Sequence, residues 1–250
     1  MTSPSTTFSG TFSSIADVEG WMTEGQARRL WDRAAALSAG DRIVEIGSYQ
    51  GRSAIVLATA APEGVEVVAI DPHAGNDRGP QQLEGPAEDG QRDHVAFLAN
   101  LERNGVRDRV RHVRRPSQDA GSDVEGEIDL LYIDGAHRFA PARNDILAWG
   151  ARVAEGGTLL IHDSFSSIGV TGALATSLLA GGGYRYVGRE GSMAEYRREP
   201  LAASARVANA GRQLAELPWF VRNVVIKVLI VAKLGRLTTY LGHRQATWPY

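Results

Sequence analysis

The stretch DRIVEIGSYQGRSAIVLA, residues 41–58, decides the fold. It reads as a buried strand, Arg42–Ile46, then a turn containing Gly47 and Gly51, then a helix. In an open α/β sheet a ligand binds beyond the carboxyl ends of the strands, where such a turn lets the backbone approach it closely. The glycines are four positions apart, which matches neither the G-x-G-x-x-G of dinucleotide enzymes nor a P-loop. The segment therefore predicts a ligand with a nucleoside and no phosphate, the alternative being a tight turn without a ligand.

Short apolar runs alternate with helical patterns along the rest of the chain. The strand candidates are 42–46, 66–70, 109–114, 128–133 and 158–161, and the helical stretches between them lie near 52–60, 93–104, 138–152 and 168–180. Because the runs are rich in Val, Ile and Leu without alternation, we expect a parallel sheet covered by helices on both faces. Residues 184–187 and 193–197 predict a closing antiparallel hairpin. The expected fold is α/β and Rossmann-like, with a mostly parallel seven-stranded sheet.

The chain divides into three predicted parts. Residues 1–40 form a helical extension in which Thr23 caps a helix, 41–200 form the α/β domain, and 201–250 form a basic amphipathic helical extension. Within the domain, residues 72–92 are rich in Gly, Pro and polar side chains, which predicts a lid or insertion loop.

Composition and charge exclude some kinds of site and make some partners improbable. The 250 residues include no cysteine, which excludes disulfides and thiolate metal sites. The polar N-terminus lacks the pattern of a signal peptide, so we expect a cytoplasmic protein. Residues 201–250 hold seven Lys or Arg and one Glu, a net charge of +6, whereas the other 200 residues hold 20 basic and 28 acidic side chains. An acidic catalytic body is a poor partner for nucleic acid.

The basic extension has two interpretations. Its apolar run from Pro218 is interrupted by Lys227 and Lys233, which leaves it short of the about 20 residues of a spanning helix. We expect residues 218–241 to dock on the domain itself or on a second subunit, giving a homo-oligomer, in the simplest case a dimer through the extensions. Contact with an anionic membrane surface, through cations near Trp219 and Phe220, is the less favoured alternative.

Polar side chains follow two further strands. Asp71 stands 24 positions after Gly47 at the end of the next strand, where a carboxylate can accept two ribose hydroxyls, although it could equally cap a turn. Ser117 and Gln118 follow the 109–114 strand and offer short polar groups suited to an adenine edge, the alternative being an ordinary polar loop.

With these elements in order, the chain resembles the class I S-adenosylmethionine (SAM) methyltransferases, in particular the metal-dependent O-methyltransferases of the catechol and antibiotic-sugar types. The resemblance runs from Arg42 to Arg197 and is most specific in VEIGSYQGRSA and RPSQDA. It implies that SAM binds at the glycine turn and at the ends of the following strands, where Asp71 holds the ribose and Ser117 and Gln118 flank the adenine. The implied SAM contacts are Glu45, Gly47, Ser48, Tyr49, Gly51, Ser53, Asp71, Ser117, Gln118 and Asp134. The tail and the His-Asp pair also resemble actinobacterial sugar methyltransferases of methylmannose polysaccharide biosynthesis.

Two further acids predict a metal site. Asp134 ends the 128–133 strand and Asp163 follows the 158–161 strand, so their carboxylates should converge at one edge of the sheet. Two such carboxylates repel unless a proton or cation lies between them, and Mg²⁺ prefers oxygen ligands. The resemblance implies that both are metal ligands and that a neighbour, His162 or Ser164, is the third. A histidine ligand would make Mn²⁺ or another divalent ion a better fit.

His137 is the candidate base, because it stands where catechol-type relatives carry a catalytic lysine and has a pKa near neutrality. The alternatives are that His137 only makes structural hydrogen bonds and that His162 is the base. Asp145 is expected to be a solvated or capping acid, or else to orient His137 or bind substrate.

The acceptor is predicted to be a sugar or other glycoside, either a small molecule or an oligosaccharide, because Asp77, Arg78, Gln81 and Gln82 of the 72–92 loop are polar and only Leu83 is apolar. A small phenolic, catechol or antibiotic acceptor is the alternative. Two further hypotheses are a nucleotide-dependent oxidoreductase and a non-catalytic cofactor-binding subunit.

Overall fold

The structure, a computed structural model, describes residues 7–75 and 86–244. Its strands are β1 Arg42–Ile46, β2 Glu66–Ile70, β3 Val110–Val113, β4 Ile128–Ile133, β5 Val153–Ile161, β6 Tyr184–Glu190 and β7 Met193–Arg198. Its α-helices are α1 Phe8–Ser14, α2 Glu24–Ala35, α3 Arg52–Ala60, α4 Ala87–Arg103, α5 Phe139–Gly150, α6 Ile168–Ser177, α7 Ala203–Leu214 and α8 Leu217–Val231. Short 3₁₀ turns lie at Arg107–Arg109, Ser117–Asp119, Gly121–Asp123 and Gly235–Leu241.

The strands form one sheet in the order β3-β2-β1-β4-β5-β7-β6. Strands β1 to β5 pair in parallel, and β7 runs antiparallel to both β5 and β6. The strand order reverses between β1 and β4, so a crevice opens beside the carboxyl ends of these two strands. The predicted fold class, with its closing hairpin, is confirmed.

The core lies in two layers, one on each face of the sheet. Alternate residues of a strand point to opposite faces, so Val44 packs in one layer and Ile43 in the other. Helices α5 and α6 cover the first layer, and α1 to α4 cover the second. Strands buried on both sides explain the unbroken apolar runs in the sequence.

The structure departs from the sequence pattern in two places. Strand β5 begins at Val153, five residues before the predicted start, and an irregularity in its pairing with β4 accommodates the addition. Helix α4 begins at Ala87, so residues 87–92 of the predicted loop are helical. Glu88 and Asp89 in its first turn favour this start, since acids stabilise helix N-termini. The loop residues on which the acceptor prediction rests, Asp77, Arg78, Gln81, Gln82 and Leu83, lie outside the described residues.

Both extensions contact the domain. Thr23 caps α2 as predicted, in a reciprocal arrangement in which its hydroxyl accepts from the Gln26 amide and the Gln26 side chain accepts from the Thr23 amide. Helix α8 packs Trp219 and Phe220 against the first core layer. Contact of this helix with a membrane surface or a second subunit stays a prediction. No helix in the described ranges is both long and apolar enough to cross a bilayer.

Candidate active site

A cavity of about 380 Å³ opens at the carboxyl ends of β1, β2 and β4, where the strand order reverses. Eight of the ten residues predicted to contact a cofactor line it: Gly47, Ser48, Tyr49, Ser53, Asp71, Ser117, Gln118 and Asp134. Glu45 and Gly51 do not line it. The structure thus brings together segments that are up to 87 positions apart in the sequence, from Gly47 to Asp134.

Backbone conformation and close packing require glycine at both positions of the turn. Gly47 has a φ of +86°, and a Cβ there would lie 2.2 Å from the carbonyl oxygen of Asp134, so only glycine lets β1 and β4 end side by side. Gly51 has a φ of +89° and precedes α3, where a Cβ would press on the Phe97 ring at 3.1 Å. Gly51 is therefore a helix-start residue and not the cofactor contact predicted from the sequence.

Glu45 also differs from the prediction. Its side chain is fully buried, one carboxylate oxygen accepts a hydrogen bond from the Ser53 hydroxyl, and the other has no partner among the described residues. Burial raises its pKa to about 8, with the charges of Asp134 and Asp71 adding to the effect and the Ser53 bond opposing it. Glu45 lies behind the cavity wall as an acid that holds its proton at neutral pH.

Asp71 holds the loops on either side of the cavity. Its Oδ2 accepts from the Tyr49 amide at 2.8 Å and its Oδ1 from the His73 amide at 2.7 Å. Tyr49 and His73 have φ values of 45° and 46°, a left-handed backbone that this carboxylate stabilises. Each carboxylate oxygen has a second lone pair, so Asp71 can still accept the ribose hydroxyls that the sequence assigns to it.

Ser117 and Gln118 form the next part of the wall. The Ser117 hydroxyl donates to Asp145 Oδ1, and Trp149 Nε1 donates to the Ser117 carbonyl at 3.2 Å. Asp145 is 5% exposed, and burial raises its pKa to about 6 against the opposing Ser117 bond. The expectation that Asp145 is solvated is therefore wrong, because it lies buried in the cavity wall beside the predicted adenine edge.

Four charged side chains meet at the ends of β4 and β5, and we call them the acid–imidazole cluster: Asp134, His137, His162 and Asp163. His162 Nδ1 lies 3.2 Å from Asp134 Oδ1, and His137 Nε2 lies 3.1 Å from Asp163 Oδ2. The other two imidazole–carboxylate distances are both 3.8 Å. The two acids converge as predicted, and Asp134 and His137 also line the cavity, so the cluster is open to a bound ligand.

The cluster sets the pKa values of its members. Burial opposes charge on His162, but Asp134 and Asp163 outweigh it and raise its pKa to about 10. Burial likewise opposes ionisation of Asp163, but His137 and His162 hold its pKa far below the usual range. In the same way the pKa of Asp134 is lowered and that of His137 is raised. At neutral pH the His162 imidazole therefore carries a proton, and its charge offsets part of the charge of the two carboxylates.

The donor set agrees in kind with a divalent cation. It holds two carboxylates and two imidazoles, and Asp163 Oδ1 is buried with no hydrogen-bond partner among the described residues. The spacing, however, is that of ion pairs, and within 7–75 and 86–244 no group of three or more such side chains is already arranged as a metal site. Two nitrogen donors suit Mn²⁺ or another transition ion better than Mg²⁺. Ser164 donates to the Ile161 carbonyl at 2.8 Å, and the structure does not bring it into the cluster.

One part of the cavity was not predicted at all. Residues 19–22, between α1 and α2, line it, and the Trp21 ring stacks on Tyr49 with centroids 5.6 Å apart. Glu19 accepts a hydrogen bond from the Tyr49 hydroxyl at 2.8 Å. Trp21 is half exposed and, with Met22, adds an apolar wall. The only signal in the sequence is an aromatic residue in a segment without helical pattern.

The strand order and the cavity at its reversal define a Rossmann-like α/β fold. Residues 44–164 match a family model described as a methyltransferase domain. Similar solved structures include the O-methyltransferase TomG from Streptomyces achromogenes, involved in Tomaymycin synthesis and in complex with SAM, with 16% identity over 78% of this chain and 89% of that one and a TM-score of 0.56. An O-methyltransferase from Bacillus cereus in complex with S-adenosylhomocysteine (SAH) is 16% identical over 76% and 90%, with a TM-score of 0.54.

Cofactor-bound Rv0187 from MTB is 19% identical over 78% of this chain and 88% of that one, with a TM-score of 0.54. At these identities the structures show the shared fold. Residues 44–164 are thus similar to a methyltransferase domain, and the solved structures share its fold.

Proposed function

We propose that the protein transfers a methyl group from SAM to a hydroxyl of a sugar or glycoside, with a divalent cation at the acid–imidazole cluster. The observation that carries the proposal is that Asp134 and His137 belong both to the cluster and to the cavity wall. A substrate in that cavity would therefore meet a carboxylate and an imidazole at the place where the glycine turn and Asp71 would hold the cofactor.

The residues around the cavity divide the work. Asp71 binds the ribose, and Ser117 with Asp145 binds the adenine edge. SAM supplies an electrophilic methyl on a sulfonium, and a divalent ion lowers the pKa of a hydroxyl bound to it. His137 would accept the hydroxyl proton at the ring nitrogen that does not face Asp163, while the acceptor oxygen displaced SAH from the methyl carbon. Asp163, 3.1 Å from Nε2 of His137, stabilises the resulting imidazolium.

Asp134 and Asp163 would hold the cation, with His162 as the third ligand. Both imidazoles contact both acids, but the His162 side chain is 2% exposed and that of His137 is 28% exposed, so His137 is the more accessible of the two to a substrate. Ligating imidazoles must be deprotonated, so cation binding would release the proton that His162 carries in its absence.

The sugar acceptor rests on polar side chains around the cavity mouth. Glu19, Arg52 and Arg138 line it and offer charged hydrogen-bonding groups to a polyhydroxylated ligand. A phenolic acceptor is the second candidate, because Trp21, Met22 and Tyr49 form the aromatic and thioether wall that a flat ring would contact. The similar structure TomG is described as an O-methyltransferase involved in Tomaymycin synthesis, which supports keeping this second candidate.

The test has two stages. Calorimetry with SAH and Mn²⁺ or Mg²⁺, followed by crystals soaked with both, is expected to show SAH in the cavity and one ion between Asp134 and Asp163. SAH formation is then measured on mannosides, other glycosides and catechols, with Asp134→Ala as control. Turnover of glycosides supports the sugar acceptor. Turnover of catechols alone would instead support the phenolic acceptor.

The same measurements separate the remaining classes. Tight binding of NADH with no binding of SAH would replace the methyltransferase by an oxidoreductase. Unchanged function in Asp134→Ala would instead identify a subunit that binds the cofactor without using it.

A further inference from the structure

The loop that carries Asp163 has an unusual backbone. In residues 163–167, which we call the Asp163 loop, Asp163 and Phe165 have φ values of 53° and 54°. Residues other than glycine seldom adopt this left-handed region and keep it only where neighbouring structure holds them. The amides of Ser166 and Ser167 donate to the Asp163 carbonyl at 3.2 and 2.9 Å, which closes the turn locally.

Two side chains of α8 donate hydrogen bonds to backbone carbonyls of this loop. Asn223 Nδ2 donates to the Phe165 carbonyl at 3.2 Å, and Lys227 Nζ donates to the Ser166 carbonyl at 2.9 Å. The two residues are four positions apart, so both bonds come from one face of the helix. Asn223 is completely buried, as is Ile226 beside it, which fixes that face on the domain.

We infer that α8 is a positioning element of the active site, with Asn223 and Lys227 holding the Asp163 loop in its strained conformation. This helix lies outside the methyltransferase match at 44–164, so the C-terminal extension supplies a part that the domain itself lacks. Lys227 also lies close enough to Asp163 to add a favourable charge interaction. The inference that catalysis depends on α8 rests on the proposed function, whereas the structural support of the loop does not.

The test compares two buried asparagines with the same kind of bonding. Asn223→Ala removes the bond to the loop, and Asn209→Ala is the control, because Asn209 in α7 is also buried but bonds the backbone of Tyr184 and Tyr186. Hydrogen exchange of residues 163–167 in the ligand-free protein should accelerate at least about tenfold in Asn223→Ala and not in Asn209→Ala. Turnover should fall about 10- to 100-fold only in Asn223→Ala, with KM for SAM unchanged.

Lys227 provides a second pair of variants. Lys227→Met should reproduce the loss of loop protection and of turnover, and Lys227→Arg should restore most of both. The inference is overturned if Asn223→Ala and Asn209→Ala change loop exchange equally, or if neither Lys227 variant differs from wild type. If wild type itself methylates no acceptor, the proposed function fails, and loop exchange alone still decides the role of α8.

Discussion

Replacing Glu45 by glutamine removes one buried acid, and the structure predicts how this changes the pH dependence of the unfolding free energy. Glu45 is fully buried and has a pKa of about 8 in the folded protein against 4.5 as a model value. Between these two values the folded state holds the proton and the unfolded state does not. Stability therefore falls as pH rises, by about 1.4 kcal/mol per pH unit and about 5 kcal/mol over the whole window. Glutamine is uncharged at every pH and lacks this slope.

The assay is urea unfolding of wild type and Glu45→Gln at pH 5.5 and pH 8. The difference in unfolding free energy between the two proteins should shift by about 3 kcal/mol in favour of the variant at the higher pH. Groups common to both proteins, including the cluster histidines, cancel in this comparison. Because Glu45 lies outside the cavity lining, the variant should also bind SAH as wild type does.

A second acid provides the control. Burial would raise the pKa of Glu66, but its bonds to Arg42 and Arg111 lower it, so the stability it contributes is lost only as pH falls below its usual range. Glu66→Gln should therefore change stability equally at pH 5.5 and pH 8. The reasoning is refuted if Glu45→Gln behaves like Glu66→Gln, since Glu45 would then be ionised in the folded state throughout.

Three further predictions concern the site and the surface. His137→Ala should lower kcat about 10²- to 10⁴-fold in a coupled SAH assay while calorimetric SAH affinity stays the same, and an equal loss of affinity would assign His137 a structural role. Asp163→Asn should abolish Mn²⁺ binding measured by electron paramagnetic resonance, whereas wild-type affinity in this variant would remove the cation from the proposal. Val221 and Val228 are 58% and 59% exposed on the outer face of α8, so the Val221→Glu/Val228→Glu double variant should prevent the expected dimerisation. A wild type that sediments as a monomer at all concentrations would contradict this.

The sequence was most informative where burial leaves an unbroken apolar run. Strands β1, β2 and β4 and helix α3 have the predicted bounds, and the strands were recognisable because burial on both faces makes most of their positions apolar. The start of β5 was missed because Glu155, Gly156 and Gly157 interrupt its apolar pattern. The cavity residues at 19–22 were missed for another reason, since only tertiary packing brings that segment to the sheet edge.

The location of the site could be predicted from where residues stand relative to the strands, but the direction of individual side chains could not. Asp134 and Asp163 were found because each follows a buried strand and parallel strands end at one edge. Glu45 was assigned to the cofactor although it lies inside β1, where alternation decides the face and proximity to the turn does not. Asp145 was expected to be a solvated or capping acid, or else to orient His137 or bind substrate, and only the fold places it against the Ser117 turn.

Four acids stand at or near the ends of adjacent strands, and the structure stabilises each in a different way. Glu45 keeps its proton, Asp71 accepts backbone amides, and Asp134 and Asp163 face imidazoles. The backbone amides that bond Asp71 carry no net charge, whereas Asp134 and Asp163 face imidazoles. SAM carries a positive sulfonium, and SAH, left after transfer, does not. An acidic sheet edge therefore attracts the cofactor more strongly than the product, and added salt should weaken SAM binding more than SAH binding.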